Sequence, residues 1–242
     1  MEEFYINDDS IKLHVKLDKP TNTPCPLVIL IPGLHGDMEE QLLTTTVETL
    51  NNKQYAVLRV ELYGHGKSQG TYKEHTLYKW ITNTLKVIEY AKTIPWKTDI
   101  YLSGHSQAGL ITILAAAMCQ DDIKAIIPLA PAITIPEDAR KGKVLNTTFD
   151  QNHIPDTLLF DNEAISGNYF RTAQTIHIED ALEKYNKPIY IFQGSEDELI
   201  PIQTIQELAS RYHNIHLTII QDDNHCFDYH LDTYAKELQK IL

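Results

Sequence analysis

The chain has 242 residues, enough for one α/β domain of the ~200–250-residue kind and too few for a second of that size. Hydrophobic residues make up 43% and charged residues 22%, which excludes the disordered and membrane-spanning classes. Against 33 acidic side chains stand 21 basic ones, a net charge of -12, which disfavours nucleic acid and anionic membranes and favours a small neutral or apolar substrate.

The opening Met1-Glu2-Glu3-Phe4-Tyr5-Ile6 is acidic where a secretory leader needs a basic start, so export by that route is not expected. No apolar run approaches the ~20 residues that span a bilayer, and a soluble protein is expected. Cys25, Cys119 and Cys226 lack C-x-x-C spacing and are odd in number; they read as free thiols in a reducing cytoplasm.

In chain order, Ile11, Leu13, Val15 and Leu17 alternate with polar neighbours, the pattern of an antiparallel edge strand with one wet face. Leu27 to Ile31 is a short, wholly apolar run of the buried parallel kind, ending in the glycine turn Pro32-Gly33-Leu34-His35-Gly36. A second run, Ala56 to Leu62, leads into Tyr63-Gly64-His65-Gly66-Lys67-Ser68, where glycines flank His65 and mark it as loop structure rather than a base. Helical spacing covers Leu77 to Ala91. The run Asp99 to Ser103 is followed by Gly104-His105-Ser106-Gln107-Ala108-Gly109 and a helical pattern to Cys119, and Ala125 to Ala130 is the next run. Between Ile133 and Asp180 no strong buried strand appears, while Pro, Gly, Asn and Asp gather around aromatics. A structureless stretch of that size inside a compact domain is generally a lid or binding element, so residues 134–180 are expected to form an insertion into a core made of 1–133 and 181–242. The runs resume at Pro188 to Phe192 and Ile215 to Ile220, with helices over Thr204 to Tyr212 and Leu231 to Leu242. Buried runs separated by helix-length spacers give an α/β fold with a mostly parallel sheet.

A strand, a tight turn bearing serine and a helix form a nucleophile elbow: small neighbours let strand and helix approach, Ser106 Oγ is projected outward, and the helix N-terminus faces developing negative charge. Ala108 stands where glycine is usual and is still small. Serine needs a base, and the base needs a group that fixes its tautomer. Two late strands end in suitable segments, Gly194-Ser195-Glu196-Asp197 and Asp222-Asp223-Asn224-His225, at the edge where ligands gather in open α/β sheets. His225 is the expected base and Asp197 its orienting acid, with Glu196, Glu198, Asp222 and Asp223 as rivals. The backbone N–H groups of Gln107 and Leu34 are the expected oxyanion donors.

Taken together, these segments resemble the α/β-hydrolase superfamily across nearly the whole chain. Within it, Gly104-His105-Ser106-Gln107, Tyr63-Gly64-His65-Gly66-Lys67-Ser68, Gly194-Ser195-Glu196-Asp197 and Asn224-His225-Cys226-Phe227 are most similar to the cinnamoyl (feruloyl) esterases. The resemblance implies a serine carboxylesterase that acts on hydroxycinnamate esters without a cofactor or metal, through an acyl-enzyme. It also implies a cap inserted between the sixth and seventh strands, with Asp138 and Tyr169 meeting the substrate's ring hydroxyls. Pro32, Ala108 and Glu61 depart from the family's usual histidine, glycine and aspartate.

The expected partner is a small-molecule ester, with no nucleic acid and no membrane, and the sequence is compatible with a homodimer. The same machinery would serve a monoacylglycerol lipase, a short-chain acyl esterase, a peptidase or a thioesterase. A ligand receptor that has lost its chemistry is the alternative from another class.

Overall fold

A computed structural model describes residues 1–241. In chain order the strands are β1 (Glu2–Asp8), β2 (Ile11–Asp18), β3 (Cys25–Ile31), β4 (Ala56–Val60), β5 (Lys97–His105), β6 (Ile123–Leu129), β7 (Lys143–Val144), β8 (Thr147–Thr148), β9 (Thr157–Phe160), β10 (Glu163–Ser166), β11 (Ile189–Gly194) and β12 (Ile215–Ile220). The helices are α1 (Gln41–Asn52), α2 (Leu77–Lys92), α3 (Gln107–Met118), α4 (Ile135–Lys141), α5 (Asn168–Gln174), α6 (Ile178–Lys184), α7 (Ile202–Arg211) and α8 (Leu231–Ile241), with a single 3-10 turn at Tyr72–Glu74. Leu242, the end of the last expected helix, lies outside the described residues.

Eight strands form one sheet in the order β1-β2-β4-β3-β5-β6-β11-β12. From β4 to β12 every pairing is parallel, and only β1 and β2 run antiparallel at one edge. Because side chains alternate across a strand, β3 sends Leu27, Ile29 and Ile31 into one apolar layer and Val28 and Leu30 into the other. The first layer lies under α2, α3 and α7 and takes in Trp80, Leu110 and Leu208; the second lies under α1 and α8 and takes in Leu43, Phe192 and Tyr234. With both faces covered, a central strand needs a continuous apolar run, as Leu27 to Ile31 of β3 provides. Among the described residues no helix is long and apolar enough to cross a membrane.

The N-terminal edge differs from the sequence expectation. The Ile11–Asp18 strand is not the edge: β1 pairs with it on one side and β4 on the other. Its supposed wet face holds His14, which is buried because Nδ1 meets Glu61 at 2.8 Å and Nε2 meets Glu3 at 2.6 Å. Helix α1 also escaped the sequence reading. Its run of three threonines lowers helix propensity, yet Thr44 and Thr46 hydroxyls donate to the carbonyls of Glu40 and Leu42 four residues back.

The stretch from Ile133 to Asp180 enters between the sixth and seventh strands of the main sheet. It contains α4, the two-stranded ribbons β7–β8 and β9–β10, α5 and the start of α6. Phe149, Phe160, Tyr169 and Phe170 pack ring to ring within it, at centroid distances of 4.6–5.6 Å, and this aromatic group is continuous with the core above the sheet.

Strand β5 and helix α3 approach closely enough that a methyl group on Gly104 would lie 2.6 Å from the Ala108 carbonyl oxygen. That absent methyl is what admits the Ala108 side chain. Gly104→Ala is therefore expected to destabilise the fold by about 1–3 kcal/mol, the usual cost of overpacking. Urea denaturation measures this, and an unchanged midpoint would show that the contact relaxes freely.

Candidate active site

Ser106 occupies the joint between β5 and α3 with φ 55° and ψ -120°, a region costly for a residue with a Cβ. Surrounding bonds hold it there: its N–H donates to Leu129 O at 2.8 Å, and its carbonyl accepts from Gly109 and Ala132 N–H, both at 2.9 Å. The residue is half-buried.

Asp197 sits in the turn after β11 and is 6% exposed. Its carboxylate accepts from the Leu199 and Ile200 amides at 2.9 and 2.8 Å, from Gln193 Nε2 at 2.7 Å and from His225 Nδ1 at 2.7 Å. Burial alone would raise its pKa, but the bonds from His225, the Ile200 amide and Gln193 outweigh it and hold the carboxyl below its usual range. An ionised carboxylate only accepts, so the proton of His225 belongs on Nδ1 and Nε2 keeps its lone pair. His225 follows β12, is 7% exposed, and its Nε2 has no hydrogen-bond partner within the chain among the described residues. The rival acids are placed elsewhere. Glu196, Glu198 and Asp222 are exposed, whereas buried Asp223 accepts from the Asn224, Tyr229 and His230 amides and shapes the loop that carries His225.

His105 links the three loops. Its Nε2 donates to the His225 carbonyl at 2.9 Å, and the two imidazole rings stand 4.9 Å apart. A methyl on Gly33 would lie 3.1 Å from His105 Nδ1 and 3.3 Å from Ser106 Cβ, which places the Pro32-Gly33-Leu34 turn against the elbow. The Leu34 amide has no partner within the chain among the described residues. As the first residue of α3, Gln107 has no preceding helical turn to accept its N–H.

The two residues that the resemblance sets against substrate differ in position. Half-buried Asp138 on α4 lines a cleft of about 820 Å³ together with Ile133, Leu145, Glu198 and Leu199, so that cleft borders the Asp197 turn. Tyr169 is fully buried, and its hydroxyl donates to Gln107 Oε1 at 2.8 Å. His65 packs at 4.7 Å on the Trp80 ring, with Nδ1 3.1 Å from the Tyr63 carbonyl, a loop histidine as expected. Among the described residues no group of three or more His, Cys, Asp or Glu side chains is arranged to hold a metal ion. Sequence reasoning gave His105 no role and weighed Asp223 only as a rival acid, because each acts on backbone groups that no spacing rule exposes.

A family model described as serine aminopeptidase, S33, matches residues 22–174. The chain belongs to this serine hydrolase family. Est1E of Butyrivibrio proteoclasticus, solved with ferulic acid bound, is 46% identical with a TM-score of 0.96, over 98% of this chain and 97% of that one. Human monoglyceride lipase is 24% identical over 225 residues, covering 80% of this chain and 72% of the lipase. The mouse alpha/beta hydrolase domain-containing protein 10 shares only 19% identity at a TM-score of 0.76, covering all of both chains, and speaks for the α/β-hydrolase fold alone. The protein is thus a serine hydrolase on an α/β-hydrolase scaffold.

Several of its histidines are buried neutral. Burial, then the neighbouring His225, pushes His105 down to about 4 from the ordinary 6.5; burial likewise lowers His65 and, much further, His75. A folded-state pKa below the unfolded one means that the unfolded chain binds more protons between the two values, so stability falls as pH drops below 6.5. His105 alone is expected to remove about 2 kcal/mol between about pH 7 and pH 5. Guanidinium unfolding at those two pH values checks this, and equal unfolding free energies would contradict it.

Proposed function

We propose that this serine hydrolase cleaves carboxylic esters of hydroxycinnamic acids through an acyl-enzyme on Ser106. The observation that carries the substrate class is the 46% identity, over 98% of the chain, to a protein solved with ferulic acid bound. The chemistry rests on a strained, half-buried serine after β5 and a buried His225–Asp197 pair after β12 and β11, at the same edge of the sheet.

In the mechanism, His225 Nε2 takes the Ser106 Oγ proton as Oγ attacks the ester carbonyl. The negative charge that forms on the carbonyl oxygen is met by the Leu34 and Gln107 N–H groups. Collapse breaks the ester C–O bond, and His225 returns the proton to the leaving alcohol. Water then gives a proton to His225 and attacks the acyl carbonyl. The second collapse frees the acid and restores the serine hydroxyl. Asp197 stays ionised throughout, holding the imidazole in one tautomer and stabilising its charged form.

Residues 134–180 serve as a cap over this site. Two contacts support that reading: the Tyr72 hydroxyl donates to Phe160 O at 3.3 Å, and His35, beside Leu34, faces Asp161 at 3.5 Å. Asp138, in the cleft between α4 and the Asp197 turn, is the group suited to accept from a phenolic hydroxyl shielded from water. A second reading, an aliphatic monoacyl ester, is favoured by the exposed Leu145 and Leu199 in that cleft and by the likeness to monoglyceride lipase. Three unpaired cysteines, one of them exposed, suit a reducing cytoplasm.

Steady-state hydrolysis of methyl ferulate against methyl esters of matched aliphatic acids separates the two readings. The aromatic ester should be the better substrate by kcat/KM, and an aliphatic preference would reject the assignment. Ser106→Ala should lower kcat by about 10⁴-fold or more, and Asp197→Asn by a comparable factor. Turnover that survives Ser106→Ala would remove the serine from the mechanism.

A further inference from the structure

Gln107 contributes more than an amide to the site. Its side chain is 0% exposed at the start of α3 and is held from both ends. Oε1 accepts from the Tyr169 hydroxyl of α5 at 2.8 Å, and Nε2 lies 2.8 Å from Nε2 of His75, one of two residues between the 3-10 turn and α2. His75 and Tyr169 are themselves 0% exposed, and their rings lie 5.4 Å apart. Burial keeps His75 neutral, so Nε2 can accept the carboxamide proton, and it keeps the Tyr169 phenol protonated, so the hydroxyl can donate.

This clamp sits next to a strained residue. The direction of the Gln107 N–H is set by ψ of Ser106 and φ of Gln107, and Ser106 is held at φ 55°, ψ -120°. Such a conformation persists only where the surroundings over-determine it. Relaxation at Ser106 would swing the peptide that carries the Gln107 N–H. Fixing the Gln107 side chain from α5 and from the approach to α2 opposes that swing from the far side of the same peptide.

We propose that Tyr169 and His75 are positioning residues that act through the Gln107 side chain to hold the oxyanion hole, so that the inserted segment is a working part of the hole as well as a cover. The inference rests on the assignment of Ser106 and Gln107 made above, but not on the identity of the acyl group. It gives the Tyr169 hydroxyl a partner other than the substrate's ring hydroxyl.

Tyr169→Phe is the informative variant, since it removes the hydroxyl and keeps the ring packing. It should be assayed on methyl ferulate and on 4-nitrophenyl acetate, whose acyl group has no ring to recognise. A tether predicts that kcat falls by about 10-fold on both with KM little changed, less than the ~10²–10³ lost with a whole oxyanion donor. It also predicts that a boronic acid forming a tetrahedral adduct on Ser106 binds about 10-fold more weakly, while inhibition by free ferulate is unchanged. Loss on methyl ferulate alone, or a change confined to KM, would overturn the tether in favour of substrate contact. Wild-type kinetics on both esters would overturn it as well.

A double-mutant cycle guards against a general loosening of the fold. If Tyr169 acts through Gln107, Tyr169→Phe made in a Gln107→Met background should change kcat by less than about twofold; full additivity would count against the tether. If wild type cleaves 4-nitrophenyl acetate but not methyl ferulate, the hydroxycinnamate reading falls while the acetate arm still decides the tether.

Discussion

The hydrogen bond between Asp197 and His225 organises the far end of the sheet. A carboxylate that is almost fully buried and accepts from two backbone amides, a carboxamide and an imidazole is stabilised as the anion, and that anion selects one tautomer of the histidine. The bond is available only because β11 and β12 are parallel neighbours, so the turns that follow them leave the sheet at the same edge. Chain direction places the elbow and the glycine turn there too, since β3 and β5 are parallel neighbours. The parallel sheet thus brings to one rim residues that lie up to 191 positions apart in the chain, from Leu34 to His225.

Rigidity around Ser106 comes from three directions. From the sheet, Leu129 and Ala132 fix its backbone; from the histidine loop, the His225 carbonyl engages His105; from the inserted segment, Tyr169 reaches Gln107. Each of these contacts is a directed hydrogen bond in a place with little water, where geometry is held more firmly than on an open surface. A strained serine is tolerable under those conditions and would relax without them. The arrangement also accounts for Ala108 in the elbow, since the missing side chain of Gly104 supplies the space.

Much of this was legible in the sequence. The apolar runs that became β3, β4, β5, β6 and β11 were plain because strands buried on both faces need not alternate, and the edge strand β12 showed through Ile215, Leu217, Ile219 and Ile220. The positions of Ser106, Asp197 and His225 at one edge of the sheet were legible because each follows such a run. Less visible were features whose cause is a distant partner. β1 carries three acids in seven residues and showed no apolar strand pattern, yet Glu3 is needed to satisfy His14. Helix α1 was masked by its threonines. Tyr169 was expected against substrate, but whether a tyrosine faces a cleft or a buried glutamine depends on the packing of Phe160 and Phe170 around it, which no spacing encodes.

The account stands on Ser106 being made nucleophilic by His225. Labelling with a fluorophosphonate, followed by mass spectrometry of the digested protein, reads this directly. The account predicts one adduct, on the peptide that contains Ser106, forming at least about 10³-fold more slowly in His225→Ala than in wild type. An adduct on a different side chain, or wild-type labelling rates without the imidazole, would contradict it.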